Sequence, residues 1–255
     1  MKKAFLMLVL ALVAGMFVGC GKKSNELIIA TEPTFPPYEF MVGKEICGID
    51  IDICKEVAAK LGRELKVEST AFDSIITHVI SGKAHAGASG ITVTEERKKN
   101  VLFSKPYYTA SQVIIVMAKN NKILGPETLK GVRIGCQQGT TGYDFVAANI
   151  VTEKGSPLLQ AFPNAALAVE ALTGGKLDAV VIDEGPAKTF AKHNAGTIKV
   201  LPVPLTKEEY AIALNKKDTE LCKVFDEVIT DLISSGKLAE ITKKNTELAD
   251  KQGTK

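Results

Sequence analysis

Gly174-Gly175-Lys176-Leu177-Asp178-Ala179, which runs on through Val180-Val181-Ile182 to Asp183, decides the reading of the whole chain because Ser81-Gly82-Lys83-Ala84-His85-Ala86 has the same layout. In each stretch a helical pattern stops at glycine, a lysine follows, and an apolar strand leads to a polar loop. Upstream of Ser81, Leu27–Ala30 reads as a strand. Ile51, Ile53, Val57, Ala58 and Leu61 form a helical stripe stopped by Gly62, Leu65 and Val67 open a second strand, and Phe72–Ile80 is a helix ending near Gly82. With 84–87 as the third strand, the order is strand, helix, strand, helix, strand.

Upstream of Gly174 the order returns: an apolar strand over 113–117, then a strand over 132–136, a helix over 143–150, a strand over 159–161, a helix over 164–172 and the strand over 177–182. Such alternation predicts an α/β protein in which two half-molecules of similar build each hold a mostly parallel sheet flanked by helices. Pro33, Pro36 and Pro37 break the chain after the first strand into an extended loop. Tyr210–Leu214 reads as a further strand, and 220–234 as a helix with Leu221, Val224, Phe225, Val228, Ile229 and Leu232 on one face. Residues 246–255 are polar and are expected to fray.

The length, 255 residues, admits one large domain or two modest ones, and 45% hydrophobic with 24% charged residues suffices for a packed core. Met1-Lys2-Lys3 and the 15 apolar or glycine residues from Ala4 to Val18 have the form of a secretory signal, too short to span a bilayer comfortably. The following Phe17-Val18-Gly19-Cys20 resembles the lipobox of bacterial lipoproteins, with Phe17 in place of the usual leucine. That resemblance implies removal of residues 1–19, a lipid on Cys20, a short leash over 20–25, and an exported protein held at the outer face of the cell membrane. Without Lys2 and Lys3 the chain carries 30 basic against 29 acidic residues, which argues against a nucleic-acid partner. Cys47, Cys54, Cys136 and Cys222 lack the spacing of a zinc site, so no metal or cofactor is expected. They read as buried thiols, with Cys47 and Cys54 the closest candidates for pairing.

Open sheets bind ligands at the carboxyl ends of their strands, so two facing sheets would enclose a cleft lined by loops 31–40, 69–73, 88–97, 137–142 and 183–187. In the third of these, Thr94 reads as a helix N-cap with Arg97 in the first turn, where a cation is unfavourable to the helix dipole. Arg97 is either a solvated member of a charged stretch or a fork that takes a carboxylate bidentately, with nearby N–H groups completing an anion site. Asp183 is either an N-cap or the partner of an ammonium. Thr140 and Thr141 are either a turn and cap or donors to a ligand oxygen. Phe35 and Phe72 fall within loops 31–40 and 69–73, Phe72 where its loop runs into the following helix, and there aromatic faces suit a flat or cationic group, although core packing is the ordinary use of such rings.

Five stretches together are similar to the family 3 extracellular solute-binding proteins, the polar amino-acid receptors of ABC importers. They are Pro36-Pro37-Tyr38-Glu39-Phe40, Gly48-Ile49-Asp50-Ile51-Asp52-Ile53, Gly90 to Arg97 with Phe103 to Tyr108, Gln138-Gly139-Thr140-Thr141, and Asp178 to Asp183. The resemblance covers about Leu27 to Asn245. It implies a type II periplasmic-binding-protein fold: lobe 1 from 26–108 and 210–255, lobe 2 from 111–206, joined by two hinge strands that let the lobes close over one amino acid.

It further implies that Arg97 binds the α-carboxylate, helped by Thr92, Gly90 and Thr141, that Asp183 binds the α-ammonium, and that Phe35 and Phe72 sandwich the side chain with Glu32 at the far end. Glu32 replaces the aspartate common there, and the family's tryptophan near the C-terminus is missing. The expectation is therefore a monomeric, non-enzymatic receptor that takes a free L-amino acid, in the order arginine, lysine, histidine, glutamine, and hands it to permease subunits. The alternative on the same scaffold is a cyclohexadienyl or arogenate dehydratase, with Glu32 or Glu184 as the acid.

Overall fold

The protein is described by a computed structural model covering residues 25–252. The expected signal segment, Cys20, all but the last residue of the leash and residues 253–255 lie outside the described residues.

Two five-stranded sheets carry the fold. In the first, Glu26–Thr31 lies between Glu64–Ser69 and Ala86–Gly87 and is parallel to both, while Ala213–Asn215 runs antiparallel between Ala86–Gly87 and Val101–Phe103. In the second, Ile134–Gln137 lies parallel between Leu159–Phe162 and Ala179–Asp183, and Gln112–Met117 runs antiparallel between Ala179–Asp183 and Ile198–Val200. The two sheets have the same order of strands and the same sense at each place. The duplicated sequence stretches occupy equivalent places too, since Ala86 pairs with Ile29 and Ala179 with Ile134.

Strand alternation explains the layers. On the first sheet Leu27 and Ile29 face Ile49, Ile53 and Val57 of helix Ile49–Leu61 and Phe225 and Ile229 of helix Thr219–Ser234, whereas Ala30 faces Ile75 and Val79 of helix Phe72–Ser81. On the second sheet Ile114, Val116, Ile134 and Val181 pack with Val146 of helix Thr141–Asn149, and Val180 and Ile182 pack with Ala168, Val169 and Leu172 of helix Ala165–Thr173. Each sheet is therefore covered on both faces, as parallel strands require.

The chain crosses between the sheets at Tyr108–Ala110 and at Glu208–Tyr210, and these two segments pair as an antiparallel ribbon. Tyr38, fully buried, packs edge-on to Tyr108 and Tyr210 at ring distances of 5.2 and 5.0 Å and so seats the ribbon against the first lobe. The expected single strand over 210–214 is thus two: Glu208–Tyr210 in the ribbon and Ala213–Asn215 in the sheet, separated by the buried pair Ala211-Ile212. The proline-rich loop also holds a short strand, Thr34–Phe35, in a three-stranded meander with Glu39–Val42 and Glu45–Cys47.

The expectation of a frayed tail over 246–255 is overturned for its described part. Lys237–Gln252 is one continuous helix whose Ile241, Asn245 and Ala249 are buried, and Asn245 Nδ2 donates to Asp52 Oδ2 at 2.9 Å. All four described cysteines are free thiols; Cys54 and Cys136 are buried as expected, whereas Cys47 and Cys222 are only partly covered.

Candidate functional site

The carboxyl ends of the parallel strands face one another, and the loops that follow them line one cavity. Its walls bring together all nine residues singled out from the sequence: Glu32, Phe35, Phe72, Gly90, Thr92 and Arg97 from one lobe, and Thr140, Thr141 and Asp183 from the other. Glu39, Ser89 and Gln137 join them.

Arg97 is half-buried on a single helical turn, Glu95–Lys98, whose N-cap Thr94 accepts from the Arg97 N–H at 3.1 Å. The guanidinium turns back from that turn rather than into solvent. Nη1 donates to Thr92 O at 2.8 Å, Nη2 donates across the cleft to Gly139 O at 3.0 Å, and Cζ stands 5.4 Å from the centre of the Phe72 ring. That leaves a forked cation at the lobe junction with its planar face held by an aromatic ring.

Asp183 ends the strand Ala179–Asp183 and sits at the N-cap position of helix Glu184–His193, yet its side chain makes no cap hydrogen bond. It accepts instead from the Tyr210 hydroxyl. Burial, reinforced by the nearby Glu208 carboxylate, lifts its pKa to about 7 against the pull of hydrogen bonds from Tyr210 and Gln112. Arg97 shows the converse: burial lowers its pKa, and Asp144, Asp183 and Glu208 push it back up.

The side-chain end of the cavity is aromatic and acidic. A Cβ on Gly90, whose φ is +52°, would stand 3.0 Å from a Phe35 ring carbon, so glycine there lets the ring lie against the loop. Glu32 is buried, accepts from Thr34 Oγ1 at 2.9 and 2.8 Å, and meets Gln137 Nε2 of the opposite lobe at 3.5 Å. Burial raises its pKa against those hydrogen bonds. Beneath it Glu39 accepts from Ser89 Oγ at 3.0 Å, and Asp50 accepts from Gly90 N at 2.9 Å and Tyr107 Oη at 2.7 Å. Burial drives both carboxyls up, Asp50 to about 7. The cavity therefore has one cation, Arg97, among several costly buried acids, an electrostatic setting that favours a guest with positive charge at two places.

Sequence reasoning passed over Gln137, Glu39, Ser89 and Glu208. Gln137, Glu39 and Ser89 all lie inside loops already marked and were given no role of their own. Glu208 lies outside all of them, on the hinge ribbon. Its signal was the alternation Glu208-Glu209-Tyr210, in which the first and third residues are buried and the second exposed. Among the described residues no group of histidine, cysteine and carboxylate side chains is placed to hold a metal ion.

Two lobes of matching topology, a ribbon hinge and a polar cleft between strand ends define a cleft-type solute-binding protein. Residues 27–247 match the bacterial extracellular solute-binding proteins, family 3, and the chain belongs to that family. It is 31% identical to the arginine-binding extracellular protein ArtP of Bacillus subtilis over 261 aligned positions, covering 96% of this chain and 98% of that protein. Among solved structures, an ancestral arginine-binding protein bound to arginine superposes with a TM-score of 0.81 at 35% identity, covering 86% of this chain and 97% of that one. The arginine-, lysine-, histidine-binding protein ArtJ of Geobacillus stearothermophilus gives 0.80 at 31% identity, covering 86% and 94%.

Proposed function

We propose that this protein is the extracytoplasmic receptor of an ABC importer for a free cationic L-amino acid, with arginine as its preferred ligand. The observation that carries this reading is the layout of charge in one cavity. Arg97 and Asp183 stand at the lobe junction, and Glu32 lies at the aromatic end beside Phe35. A zwitterion offers its carboxylate to the guanidinium and its ammonium to Asp183, and a cationic side chain then relieves the buried Glu32. Backbone N–H groups of Thr92 and Thr141 complete the carboxylate site, Gly90, whose own N–H is held by Asp50, shapes the loop that carries Thr92, Thr140 caps the helix that presents Thr141, and Phe35 and Phe72 flank the side chain.

Residues 26–108 with 210–255 and residues 111–206 act as the two moving bodies. Closure removes water from the ion pairs and presents both lobes together to the permease. The protein acts as a monomer, performs no chemistry on its cargo, and is held to the membrane by lipid on Cys20. Calorimetric titration of the twenty amino acids against ligand-stripped protein tests this. Arginine should bind tightest, near micromolar or better, about −8 kcal/mol; preference for glutamate or leucine refutes the reading.

A further inference from the structure

Glu208 is the acid that the strand-end loops do not account for. It sits buried on the hinge ribbon, paired with Ala110, and belongs to neither sheet. One of its oxygens, Oε2, accepts from Thr92 Oγ1 at 2.7 Å and from Thr141 Oγ1 at 2.8 Å. The other, Oε1, accepts from Thr206 Oγ1 at 2.8 Å. Thr92 follows the first lobe's strand Ala86–Gly87, and Thr141 begins the second lobe's helix Thr141–Asn149, so one oxygen atom is shared by both lobes.

A threonine hydroxyl has one proton and two lone pairs. With that proton committed to a carboxylate, the oxygen can offer the cavity only lone pairs. Thr141 Oγ1 spends one of its two on Gln112 Nε2 at 3.2 Å and keeps the other. Thr92 and Thr141 line the same cavity as Asp183. Two hydroxyl oxygens held as acceptors beside a carboxylate suit a ligand group that only donates, and they repel a carboxylate oxygen. This leaves the ligand carboxylate to Arg97 and backbone N–H groups.

We propose that Glu208 is a positioning residue: by taking both hydroxyl protons it turns Thr92 and Thr141 into acceptors for the ligand's α-ammonium, and it ties that recognition to the meeting of the two lobes. The proposal rests on the amino-acid receptor reading and adds to it the residue that makes the site demand an amine.

The test compares L-arginine with 5-guanidinopentanoate, the same molecule without its α-amino group, by calorimetry on wild type, Glu208→Ala and Glu208→Gln, with melting temperatures recorded for each. In Glu208→Ala the freed hydroxyls can turn and donate, so arginine should weaken by about thirtyfold or more while the deaminated probe changes by less than about threefold. In Glu208→Gln the amide oxygen can still accept both protons, and the preference for arginine should stay within about threefold of wild type. Equal losses for both probes in Glu208→Ala overturn the proposal, as does a preference lost as fully in Glu208→Gln. Should Glu208→Ala fail to fold, Thr141→Val removes one oriented oxygen and reads the same ratio: a fall of about tenfold or more supports the proposal and an unchanged ratio overturns it. A wild type that binds arginine and no less tightly its deaminated form sinks the Glu208 inference together with Asp183's part in the site and leaves the receptor reading standing; one that binds no amino acid sinks the receptor reading itself.

Discussion

At the scale of the residue, the cleft is governed by where protons sit. With the lobes in contact, Asp183 holds its proton up to about pH 7, because it is buried beside Glu208 with Tyr210 and Gln112 as its hydrogen-bond donors. An α-ammonium needs the ionised form. Below pH 7 binding must therefore expel a proton, and affinity should fall with decreasing pH by up to about tenfold per unit, with Glu32 acting in the same direction. Titration calorimetry at pH 5.5 and 8 checks this; equal affinities remove Asp183 as the ammonium partner. Arg97→Ala should weaken binding by at least about a hundredfold, since it removes the one cation that faces the carboxylate. The melting temperature of the protein without ligand should barely move, because the lost contacts are two hydrogen bonds and one ring contact at a half-buried side chain. Intact affinity would take Arg97 out of the site. These residues were legible in the sequence because Glu32 follows an apolar strand and Asp183 ends one, where the open-sheet rule looks, while Arg97 stands out as a cation in a helix's first turn. Glu208 was not, because nothing local marks a strand as a hinge, and its meaning comes only from Thr92 and Thr141 approaching it from separate lobes.

Elements show where periodicity informs and where it is too thin. The strands and helices of both sheets were readable because their buried positions are branched apolar residues at regular spacing. The C-terminal helix Lys237–Gln252 buries Ile241, Asn245 and Ala249, one strong apolar residue followed by an amide and a methyl, and so reads as a polar tail. What holds it is Asp52, which accepts from Lys55 Nζ at 2.8 Å, Lys244 Nζ at 2.9 Å and Asn245 Nδ2 at 2.9 Å. Burial alone would raise the Asp52 pKa, but these donors outweigh it and hold it below the ordinary range. Asn245→Ala should cost about 1–2 kcal/mol, roughly 3–6 °C in melting temperature, with arginine affinity unchanged. A depressed carboxyl stabilises above its unfolded pKa and stops doing so as the pH falls, so the deficit should shrink below about pH 4. A pH-independent deficit would mean that packing, and not Asp52, carries the effect.

At the scale of the molecule, two sheets of the same order meet through a glycine. Gly139 has φ +76°, and a Cβ there would stand 3.0 Å from the Cβ of Asp73 in the other lobe. Gly139→Val adds left-handed strain and bulk at the point of contact, so arginine affinity should drop about tenfold or more and ligand-induced compaction in small-angle scattering should shrink. Wild-type compaction in this variant would show that the lobes do not meet there. The contact at the far end, between Glu32 and Gln137 at 3.5 Å, has a consequence for guest length. One partner comes from each lobe and the two meet directly, so a side chain that reaches Glu32 has to displace Gln137 from it. A stunted homologue such as 2,3-diaminopropionate would fill the ionic end and leave that outer pair undisturbed. It would then ride as a weaker passenger, shutting the two lobes as a long guest does but forgoing the ion pair at the far wall.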